Sequence, residues 1–215
     1  MSKQAFLRKG TRLARLRRLK PLLAKWIAIN STIAAEWIED AQDVPWWYNE
    51  RASLSIFAGA VWRCSGWAFE EFAVAKQVAT PGRKRSEHGG RCDINFVVDG
   101  QEYVAEAKQA WPNIEAPASA KRVIDAAVAG ALHDAKEIAH WELPALAMVF
   151  LSPRLRTTYV GEMDRFLGLF IDELLSIRNA TVAWTFPPAA RHMSPEGRNS
   201  HRCYPGVALV ILRAA

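Results

Sequence analysis

Gly90-Arg91-Cys92-Asp93, followed thirteen residues after its aspartate by Glu106-Ala107-Lys108, is the stretch whose reading decides the fold. Between them lies Asp99-Gly100, the dipeptide favoured in a two-residue type I′ hairpin loop. Ile94, Phe96 and Val98 precede it, and Tyr103 and Val104 follow. With Asp99 and Gly100 as the loop, Val98 faces Gln101 and every cross-strand pair of numbers sums to 199. Asp93 then falls opposite Glu106, and Arg91 opposite Lys108. Side chains two apart on a strand share a face, so these four are expected to project together. Opposed side chains sit about 5 Å apart at Cβ, where like charges destabilise a sheet. Two adjacent carboxylates call for a divalent cation bound through oxygen. A lysine beside that cation is placed to steady a developing anion or position a water. The competing reading is an ordinary surface hairpin with a solvated charged face.

The order Asp93, twelve intervening residues, Glu106-Ala107-Lys108 resembles the PD-(D/E)XK nuclease superfamily, in which a β-hairpin carries an Asp and a Glu-x-Lys triplet. Cys92 stands where the family name has proline. The resemblance implies an α/β, restriction-endonuclease-like αβββαβ core, with a mixed central sheet flanked by helices. It implies a Mg²⁺- or Mn²⁺-dependent phosphodiesterase, an endonuclease cutting DNA more often than RNA. Asp93, Glu106 and the backbone carbonyl of Ala107 would be metal ligands. Lys108 would orient or deprotonate the attacking water, its pKa lowered by the cation. Lysine suits this because it can release a proton and arginine cannot. A glutamate from the preceding helix completes such sites. Glu50 is favoured and Glu71 is the alternative, since Glu71 reads as part of a strand. Gln109 faces the other side and receives no metal role. Arg91 is expected to hold the scissile phosphate, and Arg83, Lys84 and Arg85 the flanking ones. The alternative function is a catalytically silent nucleic-acid-binding or scaffold protein on the same fold. Cutting both strands would suit a homodimer.

The chain has 215 residues and a net charge of +6, a length suited to one domain with a sizeable core. No apolar run reaches the roughly 18 residues needed to span a bilayer, so no membrane role is expected. Three well-separated cysteines, Cys64, Cys92 and Cys203, point to a reducing cytoplasm without a disulfide framework. Cys92 alternates away from Asp93 and is expected in the core. The positive charge is concentrated at one end. Positions 1–35 carry nine basic residues and no acid, and the remainder has 19 basic against 22 acidic residues, or −3. Leu13, Leu16, Leu19 and Leu23 recur at helical spacing, so positions 1–45 read as a basic helical extension that Pro21 interrupts. Arg12, Arg15, Arg17 and Arg18 of this head are candidate phosphate contacts. A packing helix and a transit-peptide-like leader are the other readings.

Outward from the hairpin, residues 26–40 read as a helix. Another is expected over about 48–64, with Asn49 as N-cap and Glu50 in its first turn. Residues 67–76 alternate as a strand, although helix is also open. An Ala-rich helix over 118–140 and a buried strand over 143–151 follow the hairpin. A helix over 162–177 and strands near 181–186 and 207–212 complete residues 46–215 as one nuclease-like domain. His192, His201 and Cys203 fit no common zinc spacing.

Overall fold

The computed structural model describes residues 7–40, 43–78, 86–138, 143–195 and 201–214. In chain order its strands are β1 (Lys9–Arg12), β2 (Trp67–Val78), β3 (Ser86–Val98), β4 (Gln101–Ala110), β5 (Ala145–Leu151), β6 (Leu155–Arg156), β7 (Thr181–Thr185), β8 (Arg202–Cys203) and β9 (Val207–Arg213). Its helices are α1 (Lys20–Asp40), α2 (Glu50–Trp62), α3 (Pro117–Glu137) and α4 (Met163–Ser176). One sheet runs β1-β7-β9-β5-β4-β3-β2, and β6 and β8 pair separately. Within that sheet only β4 and β5 are parallel. A parallel pair needs a crossover, and α3 supplies it. The succession α2-β2-β3-β4-α3-β5 has the αβββαβ order expected from the sequence.

Two apolar layers sandwich the sheet. Leu19 of the preceding 3₁₀ turn, Leu22, Leu23 and Trp26 of α1, and Leu54, Phe57 and Val61 of α2 pack on one face, with Ile94, Phe96 and Tyr103. Ile124, Ala131 and Ala135 of α3 and Phe166, Phe170 and Leu174 of α4 pack on the other, with Val104, Val149 and Val210. Every residue of β5 is buried, as befits a strand covered on both faces. The stretch 67–76 that left helix open is strand.

The N-terminal segment differs from its expected form. Lys9–Arg12 is an edge strand paired antiparallel to β7, and a short 3₁₀ turn (Arg17–Leu19) leads directly into α1. Pro21 lies in the first turn of α1, where a missing N–H costs no helix bond, so it opens the helix instead of interrupting it. Positions 26–40 therefore belong to one 21-residue helix that starts six residues earlier. The leucines at helical spacing face the core, so this part of the chain is built into the domain and is not an appended arm.

Candidate active site

Asp99 and Gly100 both adopt left-handed backbone, with φ of 51° and 69°, as a type I′ turn requires. The register below them is the expected one, from Val98↔Gln101 to Ile94↔Ala105. There the β3–β4 ladder ends. Instead of pairing backbone to backbone, the Asp93 carboxylate accepts a hydrogen bond from the Ala107 N–H at 2.7 Å. The β2–β3 ladder is also interrupted at the same residue. Pairing runs Glu70↔Ile94 and resumes at Phe72↔Cys92, while Glu71, opposite Asp93, is left-handed with φ 55°. A non-glycine residue there costs about 1–2 kcal/mol. Asp93 thus sits where β3 is released from both neighbours. The strand also turns over at this point. Ile94 and Phe96 face the α1/α2 layer, whereas buried Cys92 faces the α3/α4 layer.

Four elements converge on this break. Glu106 of β4 is 4% exposed, and burial drives its pKa from 4.5 up to about 7, assisted by the adjacent Asp93 carboxylate, with which it shares a hydrogen bond. The two carboxyl groups interact, although the ladder stops at Ile94↔Ala105, one pair short of the cross-strand pairing expected for Asp93 and Glu106. Lys76 of β2 lies 2.7 Å from Glu106 Oε1 and lowers that pKa only in part. Lys108 forms an ion pair with Asp134 of α3 at 2.5 Å. Glu50, in the first turn of α2, has its pKa raised by burial first and by Asp93 second, while Lys108 pulls it down. Asn49 caps this helix through the Ala52 N–H at 3.2 Å. Gln109 pins the chain before it, donating to the carbonyls of Trp46 (2.9 Å) and Tyr48 (3.3 Å). A residue facing away from the carboxylates thereby fixes the helix that carries Glu50.

Several expected placements differ. Arg91 is paired with Ala73 across β2–β3 and does not face Lys108, because the hairpin ladder stops at Ile94. Its exposed guanidinium lies 3.6 Å from Glu71, which also holds Arg51 at 2.5 Å. Glu71 is thereby committed to two arginines, whereas Glu50 feels the charge of Asp93. Lys108 has a pKa above its ordinary value, not below. Burial alone would lower it, but Asp134, Glu50 and Asp93 together outweigh burial. Arg12 is also reassigned. Its guanidinium donates to the carbonyls of Leu175, Ile177 (2.8 Å) and Ala180 (3.0 Å) at the end of α4, so it serves as a C-terminal helix cap. Arg83, Lys84 and Arg85 lie outside the described residues. Sequence reasoning missed Lys76 and Asp134. Neither carries a local motif, and only the packing of β2 and α3 against the hairpin brings them in.

The donor set is hard oxygen, suited to Mg²⁺ or Mn²⁺ and not to a soft metal. Among the described residues no three His, Cys, Asp or Glu side chains already converge at ligating distance. Two carboxylates nevertheless meet the protein's usual share of a Mg²⁺ shell, which retains waters and takes substrate phosphate oxygens. The buried Glu106 Oε1, held at 2.7 Å by the Lys76 ammonium, is the atom a cation would take over. Comparison of the chain with protein-family models, curated proteins and solved structures finds no match.

Proposed function

We propose that this chain is a metal-dependent phosphodiesterase of the PD-(D/E)XK type, hydrolysing nucleic acid, with DNA as the favoured substrate. The observation that carries this reading is the contact between the Asp93 and Glu106 carboxyl groups at a released strand junction, with Lys108 and Glu50 within electrostatic reach. Asp93, Glu106 and the Ala107 carbonyl would hold Mg²⁺ or Mn²⁺. A residue in an extended strand directs its N–H and C=O to the same flank. Because the Ala107 N–H reaches Asp93, its carbonyl is aimed into the same gap. The bound ion would supply Lewis-acid polarisation of the phosphate and a water of lowered pKa.

The chain's own groups divide the remaining tasks. Lys108, kept protonated by Asp134, donates to the developing phosphorane charge or holds the water in line; proton removal falls to a carboxylate. Glu50, whose pKa is raised by burial first and by Asp93 second, is the carboxylate left outside the metal set to accept that proton. Burial of Glu106 keeps bulk water from this side of the site and strengthens every charge interaction there.

The second reading, a catalytically silent nucleic-acid-binding protein, is favoured by the Lys76 ammonium resting against Glu106. Incubating the full chain with plasmid and linear DNA in Mg²⁺ or Mn²⁺, beside a chelated control and Glu106→Ala, separates the two. Metal-dependent cutting lost in the variant is the expected result. Binding without cutting would select the silent form.

A further inference from the structure

A second concave site lies at the opposite end of β4. A cavity of ≈ 430 Å³ is lined by Arg15, Arg17, Arg18 and Arg213, with Tyr103, Gln101, Leu16 and Pro144 completing its wall. Gln101 and Glu106 are five residues apart on β4, about 17 Å at strand rise. Tyr103 also faces the α1/α2 layer, whereas Glu106 does not share its parity. The cavity is thus separate from the carboxylate site.

Four guanidinium groups gather here without a counter-charge. Among the described residues none of the four forms an ion pair, and all four are exposed. Arg17 and Arg18 occupy the 3₁₀ turn that runs into α1, whose first turn holds no acidic residue, so the positive end of the helix dipole adds to the charge. The acid that acts on Tyr103 is Asp99, at the hairpin turn. Tyr103 is 5% exposed. Burial first, and Asp99, raise its pKa against the pull of Arg18 and Arg213, so it remains a phenol able to donate. Arginine forks match phosphate oxygens in pairs. The space exceeds one orthophosphate and suits a chain of phosphoryl groups.

We propose that the cavity formed by Arg15, Arg17, Arg18, Arg213 and Tyr103 is a binding site for linked phosphoryl groups, independent of the carboxylate site. Those groups belong either to a compact polyphosphate or to a nucleic-acid strand. The site does not depend on the chain being a nuclease.

The test is calorimetric titration of the full chain with tripolyphosphate in excess EDTA at fixed ionic strength. The Arg17→Ala/Arg18→Ala/Arg213→Ala variant is titrated alongside. A charge-matched control carries Arg63→Ala/Arg122→Ala/Arg178→Ala at exposed positions elsewhere. The expected result is saturable binding to the native chain, the control and Glu106→Ala, weakened at least tenfold in the cavity variant. If the triple variant misfolds by circular dichroism, Arg213→Ala alone should still weaken binding severalfold. A single-stranded oligonucleotide that competes, and whose own affinity falls in the cavity variant, identifies a strand backbone as the source. An oligonucleotide that does not compete identifies a free polyphosphate. Absence of saturable binding, or equal weakening in the control, overturns the proposal.

Discussion

Lys76 Nζ lies 2.7 Å from Glu106 Oε1, placing an ammonium from the edge strand where the two carboxylates would otherwise hold a cation. The pair is nearly shut off from solvent, with side-chain exposures of 17% and 5%. It neutralises only part of the site, since Asp93 adds a second negative charge. Lys76 and a divalent ion therefore compete for Glu106. Lys76→Met should tighten Mn²⁺ binding roughly tenfold at pH 8, about 1.4 kcal/mol, while lowering the melting temperature in EDTA. Calorimetry and thermal melts read both effects. Unchanged Mn²⁺ affinity would mean that the ammonium does not occupy a cation position.

The Glu106 carboxyl should make folding stability fall with rising pH. Its folded pKa of about 7 exceeds the ordinary 4.5, so the folded chain retains a proton that the unfolded chain gives up between those values. Stability is greatest below about pH 4.5 for this group and is lost as pH climbs to about 7. The size is on the order of 3 kcal/mol at 1.36 kcal/mol per pH unit. Melting curves in EDTA from pH 5 to 8 should show this slope in the native chain and a flatter one in Glu106→Gln. Metal binding needs the ionised form, so Mg²⁺ affinity should increase through the same window.

Lys108→Ala should remove turnover while leaving Mn²⁺ affinity within about threefold, because the ammonium contacts Asp134 and not the carboxylate pair. Asp134→Asn removes one of the groups that raise the Lys108 pKa, so any alkaline limb of the pH–rate profile should move to lower pH. A limb that stays in place would separate it from Lys108.

Deleting residues 1–25 should unfold the chain instead of merely weakening its hold on polyanions. The deletion removes β1 and the fully buried Leu19, Leu22 and Leu23. Loss of such side chains costs roughly 2–5 kcal/mol each. Circular dichroism of the truncated chain reads the outcome, and a cooperative native-like melt would contradict this placement.

The hairpin was legible because its information is local. Asp99-Gly100 dictates a type I′ turn, and Ile94, Phe96 and Val98 alternate correctly above it. Glu50 was legible for a similar reason, since Asn49 marks a helix start two residues before Arg51. The break at Asp93 was not. It depends on a left-handed Glu71 in another strand and on a side chain replacing a ladder bond, neither of which alternation encodes. Arg91 was misplaced because register was extended past that break. Arg12 looked like one more cation of a basic head. Its partners are carbonyls more than 160 residues away, beyond any windowed reading.

The most direct measurement is anomalous diffraction from crystals of the full chain soaked in Mn²⁺ above pH 7. One ion is expected between the Asp93 and Glu106 carboxylates and the Ala107 carbonyl, with Lys76 swung away from Glu106. No anomalous peak at saturating Mn²⁺, or a peak elsewhere with the Lys76–Glu106 pair intact, would contradict a shared cation site.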